Sequence, residues 1–110
     1  MTDRELLELA AKAAGIPGYW AEDINEYITP RNKYQTKRRG DYDIWSPPTD
    51  DGDALRLAVT LKLAISVWFD NTTVESDDAG TVKEAHNGDP YAATRRAIVR
   101  AAAKIGKELK

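Results

Sequence analysis

Asn87-Gly-Asp-Pro-Tyr-Ala-Ala-Thr-Arg-Arg-Ala-Ile-Val-Arg-Ala-Ala-Ala-Lys-Ile-Gly-Lys-Glu-Leu109 is the stretch from which the architecture follows. Asp89 suits an N-cap, because its carboxylate can accept from backbone N–H groups that lack an intrahelical partner. Pro90 then occupies the first helical position, where a missing donor costs nothing and the fixed φ already fits. Ile98, Ala102, Ile105 and Leu109 recur at helical spacing and predict one apolar seam. Arg96, Arg100, Lys104 and Lys107 form a basic stripe towards the end where the helix macrodipole favours cations. One long amphipathic helix therefore closes the chain.

Upstream, Thr2 and Glu5 have the spacing of a capping box, Leu6, Leu7, Ala10, Ala13 and Ala14 supply an apolar face, and Gly15 with Pro17 ends the run. A first helix over residues 3–14 follows. In the middle, Pro47 and Pro48 disfavour helix in the residues before them. Thr49 or Asp50 can cap a second helix whose first turn carries Asp51 and Asp53, with Ala54, Leu55, Ala58, Val59 and Leu61 as its expected buried face. Ala64 to Phe69 alternates as a strand, with Ile65, Val67 and Phe69 on one face and Ser66 and Trp68 on the other, which predicts a strand covered on both sides. Asn71 to Gly80 reads as a polar, acidic connector, and Thr81 to His86 as a weaker strand with Val82 in the core. Tyr27–Thr29 and Tyr42–Trp45 have strand-like composition and suggest a loose hairpin with a basic tip near Lys33–Arg39 and a turn at Gly40–Asp41. The expected class is α+β: a single domain over residues 1–110, with a short, mainly antiparallel sheet of two to four strands packed between three helices.

Bulk properties fit that size. The chain has 110 residues, is 42% hydrophobic and 31% charged, carries a formal charge of −2 and has no cysteine. A chain of this length buries roughly two thirds of its unfolded surface and needs no staples, and no disulfide framework or thiolate zinc site is available to it. No stretch approaches the roughly 20 apolar residues of a membrane span, and the N-terminus lacks a basic start followed by an apolar run. A cytoplasmic protein without membrane contact is the expectation. The near-neutral charge argues against a polyelectrolyte binder of nucleic acid, though a local patch remains open.

Two blocks, Trp45-Ser-Pro-Pro-Thr-Asp-Asp-Gly-Asp-Ala-Leu-Arg-Leu-Ala-Val59 and Gly88-Asp-Pro-Tyr-Ala-Ala-Thr-Arg-Arg-Ala-Ile-Val-Arg-Ala101, resemble the phage ABA-sandwich domain, a family of small bacteriophage proteins. The opening Arg4-Glu-Leu-Leu-Glu-Leu-Ala-Ala-Lys-Ala-Ala-Gly-Ile16 is similar to the same family's start. More loosely, the plan resembles the NinX-type phage accessory proteins, with an aromatic-x-Pro before one helix and an Asp/Asn-Pro opening the last. The resemblance covers well over half of the chain and leaves residues 18–44 and 70–86 unmatched. It implies a phage or prophage origin, a bacterial host cytoplasm and a sheet between helix layers; it implies no activity.

Chemistry-bearing residues are few. His86 is the only histidine, so no triad or multi-histidine metal site can be assembled, and its place at the edge of a weak strand predicts an exposed or half-exposed position. Asp50-Asp51-Gly-Asp53 lacks the ligand spacing of a calcium loop, and helix capping accounts for it. No phosphate-binding loop, dinucleotide fingerprint or nucleophile elbow is present. No cofactor, metal or enzymatic role is expected. The run Arg31 to Arg39 holds five basic residues around Tyr34 and no acid. It can serve as a solvated loop tip, as a docking patch for an acidic protein, or as a grip on phosphates with a stacked base. Trp20, in the unmatched segment, is the tryptophan expected to be exposed, whereas Trp45 should pack under the second helix. The candidate binding residues are thus Trp20, Tyr34, Lys37, Arg38 and Arg39. The favoured function is binding of a host or phage protein through segment 18–44, and the alternative is nucleic-acid binding through Arg31–Arg39.

Overall fold

The computed structural model describes residues 1–30 and 42–109. In chain order the elements are α1 (Asp3–Ala14), β1 (Tyr19–Ala21), β2 (Glu26–Pro30), β3 (Tyr42–Trp45), α2 (Asp51–Thr60), β4 (Ala64–Val67), β5 (Asn71–Ser76), β6 (Gly80–Ala85) and α3 (Pro90–Glu108). The class is α+β, as the periodicities predict. The strands form two antiparallel three-stranded sheets, β1-β2-β3 and β4-β5-β6, rather than one.

The helix ends follow from local chemistry. Thr2 Oγ1 accepts from the Glu5 N–H at 3.1 Å, Asp50 Oδ2 from Asp53 at 2.8 Å, and Asp89 Oδ1 from Ala92 at 3.0 Å. Gly15 stops α1 at φ +69°, a left-handed conformation that costs glycine nothing. The N–H of Ile16 then reaches back to the Ala11 carbonyl at 2.9 Å, which completes a Schellman turn.

The organising element is α3, which packs against α1, α2 and the β4-β5-β6 sheet. Its burial is accordingly broader than one seam: Ala93, Ala97, Ile98, Val99, Ala101, Ala102, Ala103 and Gly106 are all buried. Ile98 and Ala102 keep their expected places. Ile105 is half-buried, and Leu109 is exposed because the helix stops at Glu108. Small residues let α1 approach closely. A Cβ on Gly106 would stand 1.9 Å from the Leu9 carbonyl oxygen, and Lys12 Nζ donates to the Leu109 carbonyl at 3.0 Å. Leu9 beside Gly106 and Lys12 beside Leu109 mean that α1 and α3 run parallel.

Three sequence expectations change here. On α2 the buried residues are Ala54, Leu57 and Ala58, whereas Leu55 and Val59 are 60% and 68% exposed. The capped helix starts at Asp51 and turns its 54–57–58 stripe to the core, so the apolar residues at 55 and 59 fall outside that stripe, with Leu55 on the flank beside the start of α3. The segment read as an acidic connector contains β5, the central strand of its sheet, with Thr72 and Val74 fully buried against α3. Strand β4, expected to be covered on both sides, is instead an edge strand; Val67 is 61% exposed and Phe69, beyond its end, is fully exposed. Val82 is buried, and Tyr27–Thr29 pairs antiparallel with Asp43–Trp45. The expected turn at Gly40–Asp41 lies outside the described residues.

Candidate functional site

In the β1-β2-β3 sheet, cross-strand partners share a face, so the pairing register sorts the side chains. Trp20, Tyr27 and Trp45 form one row. It faces the core: Tyr27 and Trp45 are buried, with ring centroids 5.4 Å apart at 67°, and Trp20 packs half-buried beside them. Burial, helped by the nearby Glu8 charge, raises the Tyr27 pKa above its ordinary value, and the phenol donates to the Ile16 carbonyl at 3.3 Å. Trp20 is therefore not the exposed anchor that its segment suggested, because strand parity turns it inward beside Tyr27.

The next row, Tyr19, Ile28 and Ile44, points to the other face together with Tyr42. This face is apolar too. Tyr19, Tyr42 and Ile44 are exposed, and Ile24 from the β1–β2 turn joins them. Tyr19, Ile24, Ile28 and Tyr42 line one open depression together with Glu22, Asp23, Ala21 and part of the half-buried Trp20. Arg4 of α1 forms an ion pair with Glu22 and so ties that depression to the body. The candidate residues Tyr34, Lys37, Arg38 and Arg39 lie outside the described residues, in the connection between β2 and β3. Sequence reasoning missed Tyr19, Ile24, Tyr42 and Ile44; the alternation Tyr19-Trp20-Ala21 against Tyr27-Ile28 held the signal, but only the pairing register assigns the faces.

The basic stripe on α3 is partly neutralised. Arg96 Nε lies 3.3 Å from Glu84 Oε1, and Arg100 pairs with the same carboxylate. Lys104 and Lys107 remain exposed. Each carboxylate of the 50–53 cluster has a structural task. Asp50 caps α2, Asp53 accepts from the Ser46 N–H at 2.9 Å and pairs with Arg56 at 2.8 Å, and Asp51 pairs with Arg95 at 2.6 Å. Arg95 also donates to the Pro48 carbonyl at 2.9 Å, so one guanidinium clamps the Ser-Pro-Pro-Thr turn onto α3. The two blocks that carry the family resemblance thus meet in space at Arg95.

His86 departs from the sequence reading. It is buried, and its Nε2 lies 2.9 Å from Thr72 Oγ1, which in turn lies 2.8 Å from Thr94 Oγ1. This hydroxyl–imidazole chain locks β5 to the end of β6 and to α3, and satisfies polar groups that burial would otherwise penalise. Its members are spaced too widely in the chain to be paired from sequence. Among the described residues no group of three or more His, Asp or Glu is arranged to hold a metal ion, and no helix is long and apolar enough to cross a membrane.

A second apolar region lies between α2, β4 and the start of α3, where a groove of about 510 Å³ is lined by Ala54, Leu55, Ile65, Val67, Tyr91 and Ile98 among others. No protein-family model, curated protein or solved structure matches the chain.

Proposed function

We propose that the protein works by binding another protein rather than by catalysis, as a small accessory protein of bacteriophage type in the bacterial cytoplasm. The observation that supports this reading is the outer face of β1-β2-β3. A small antiparallel sheet with one face on the core ordinarily shows a polar outer face, yet here Tyr19, Tyr42, Ile44 and Ile24 stand exposed. Aromatic and aliphatic side chains on a rigid strand scaffold are the usual anchors of protein recognition. The occupant that fits is a host or phage protein with an apolar patch flanked by acidic groups, since the β2–β3 connection carries the five basic residues of Arg31–Arg39.

The test is capture by tagged protein from phage-infected host cells, followed by a binding titration with the purified captured protein. Ile44→Asp, with circular dichroism showing an unchanged fold, should weaken that complex at least about tenfold, and the triple Lys37, Arg38, Arg39→Ser variant should slow association at low salt. Salt-sensitive affinity for generic DNA, lost in the triple variant and untouched by Ile44→Asp, would replace this reading with nucleic-acid binding through Arg31–Arg39.

A further inference from the structure

The open edge of β4 carries a different consequence. In an antiparallel pair, hydrogen-bonded and non-bonded residue pairs alternate. Trp68 donates to the Asn71 carbonyl at 2.8 Å, so the register makes Ser66–Thr73 and Ala64–Glu75 the other bonded pairs. The backbone N–H and C=O groups of Ile65 and Val67 therefore point away from β5, along the free edge. Sheets ordinarily protect such an edge with lysine, proline, a bulge or a covering element. The far edge of this sheet, β6, has Lys83 and Glu84; β4 reads Ala-Ile-Ser-Val and runs straight into Trp68 and Phe69, without a charge or a proline.

We propose that β4 pairs antiparallel with β4 of a second copy of this chain, around a two-fold axis through Ser66, to give one continuous six-stranded sheet. The hydrogen-bonding phase requires odd-numbered residues to pair with odd-numbered ones, and this register engages Ile65 and Val67 of both copies with each other. Ile65 of one copy faces Val67 of the other, each pair exchanging both N–H···O bonds, while Ser66 meets Ser66 in the non-bonded position. The same register sets Phe69, 102% exposed in the single chain, opposite Leu63 of the second copy, itself only half-buried. Leu55, Val67 and Tyr91, on the wall of the adjoining groove, extend the apolar surface beside the edge.

Area and charge favour a second copy as the occupant. Leu55, Val67, Phe69 and Tyr91 on the α3-side face, with Trp68 on the other face of the same edge, together expose on the order of 700 Å², the most that these side chains can contribute to the roughly 800 Å² per partner of a standard interface. The charged groups lining the groove, Asp51 and Arg95, neutralise one another at 2.6 Å. A surface without net charge can meet its own image with no like-charge repulsion, which an isologous contact requires.

Sedimentation equilibrium on the full chain from about 1 to 100 μM is the test, in the concentration range where contacts of this size associate. The expected result is a mass rising from 12.2 kDa to twice that value and no further. Val67→Lys and Phe69→Asp alter exposed side chains, so both should keep the native circular dichroism spectrum and raise the dimer dissociation constant at least about tenfold. The chain has no cysteine, so Ser66→Cys provides a clean reporter. Its Cβ atoms would sit about 4.5–5.5 Å apart across the axis, and mild oxidation should give a covalent dimer, whereas Asp77→Cys in the β5–β6 turn should not. A monomer throughout the concentration range would overturn the proposal, as would a mass that keeps growing past the dimer or equal cross-linking at positions 66 and 77. Dissociation unaffected by Val67→Lys and Phe69→Asp would place the contact elsewhere and reject it as well.

Discussion

Ile98 shows what a single side chain contributes to this fold. It is buried on α3 and also forms part of the groove beside β4. Truncation removes packing against the core and enlarges a space that solvent already reaches, so Ile98→Ala should cost about 2–4 kcal/mol, read as a lowered denaturant midpoint with unchanged slope. Tyr27 makes a different kind of prediction. Its folded-state pKa is raised by burial and by Glu8, so in the native protein the phenol keeps its proton at pH values where the unfolded chain has already lost it. Stability should then be fully present below the ordinary tyrosine value of about 10 and fall as pH rises from there towards the folded pKa. Melting temperatures between pH 9 and 11 should drop less steeply in Tyr27→Phe than in the parent chain. Residues were also where sequence reasoning was weakest. His86 and Thr72 look like surface groups because their type is polar, and their burial rests on partners 14 and 22 positions away from Thr72 that no local pattern announces.

At the scale of elements, legibility follows how local the determining interactions are. Caps involve neighbours three residues apart, and all three helix starts are legible at Thr2, Asp50 and Asp89. The facing of an element is a tertiary matter. Leu55 and Val59 belong to a plausible apolar stripe, but α2 turns Ala54, Leu57 and Ala58 to the core, with Leu55 on the flank beside the start of α3. Strand β5 escaped notice because its buried face is Thr72 and Val74, a β-branched pair of which only one is apolar by composition. The α1–α3 contact yields the clearest prediction at this scale. Gly106→Ala sets a methyl against the Leu9 backbone, which no rotamer change can relieve. The two helices must separate, so despite alanine's higher helix propensity the substitution should destabilise by about 1–3 kcal/mol, the usual cost of overpacking. Thermal denaturation of Gly106→Ala beside Lys107→Ala, which is exposed on the same turn, measures that cost.

Across the whole molecule, the two sheets occupy distinct settings. One is set against α1 through β1 and β2, with Trp20, Tyr27 and Trp45 on its core face, and the other against α3 through Thr72, Val74 and Val82. Each leaves an apolar surface of its own, which separates the proposed partner face on β1-β2-β3 from the proposed self-pairing edge at β4. The α+β class was legible because helix and strand periodicities differ sharply along the chain. The division into two sheets was not, since strand composition carries no information about which strands share a ladder. The candidate site was legible only as a region: segment 18–44 drew attention by its aromatics and its basic run, and the pairing register then exchanged Trp20 for Tyr19 and Ile44 as its exposed members.

The parallel pairing of α1 with α3 has a consequence for how the chain is made. Within this chain, α1 is separated from its main packing partner, α3, by all of the intervening elements. Until the 19 residues of α3 have emerged, Leu7, Ala10 and Ala11 have nothing of this length to bury against. The β4-β5-β6 sheet likewise waits for the helix that covers Thr72 and Val74. Synthesis therefore delivers α1 with the β1-β2-β3 sheet that packs on it, and the β4-β5-β6 strands, before the helix that joins them. A nascent chain stalled before Pro90 would expose its helix faces and the bare β4 edge together, which makes this chain most vulnerable to misassociation during its own translation.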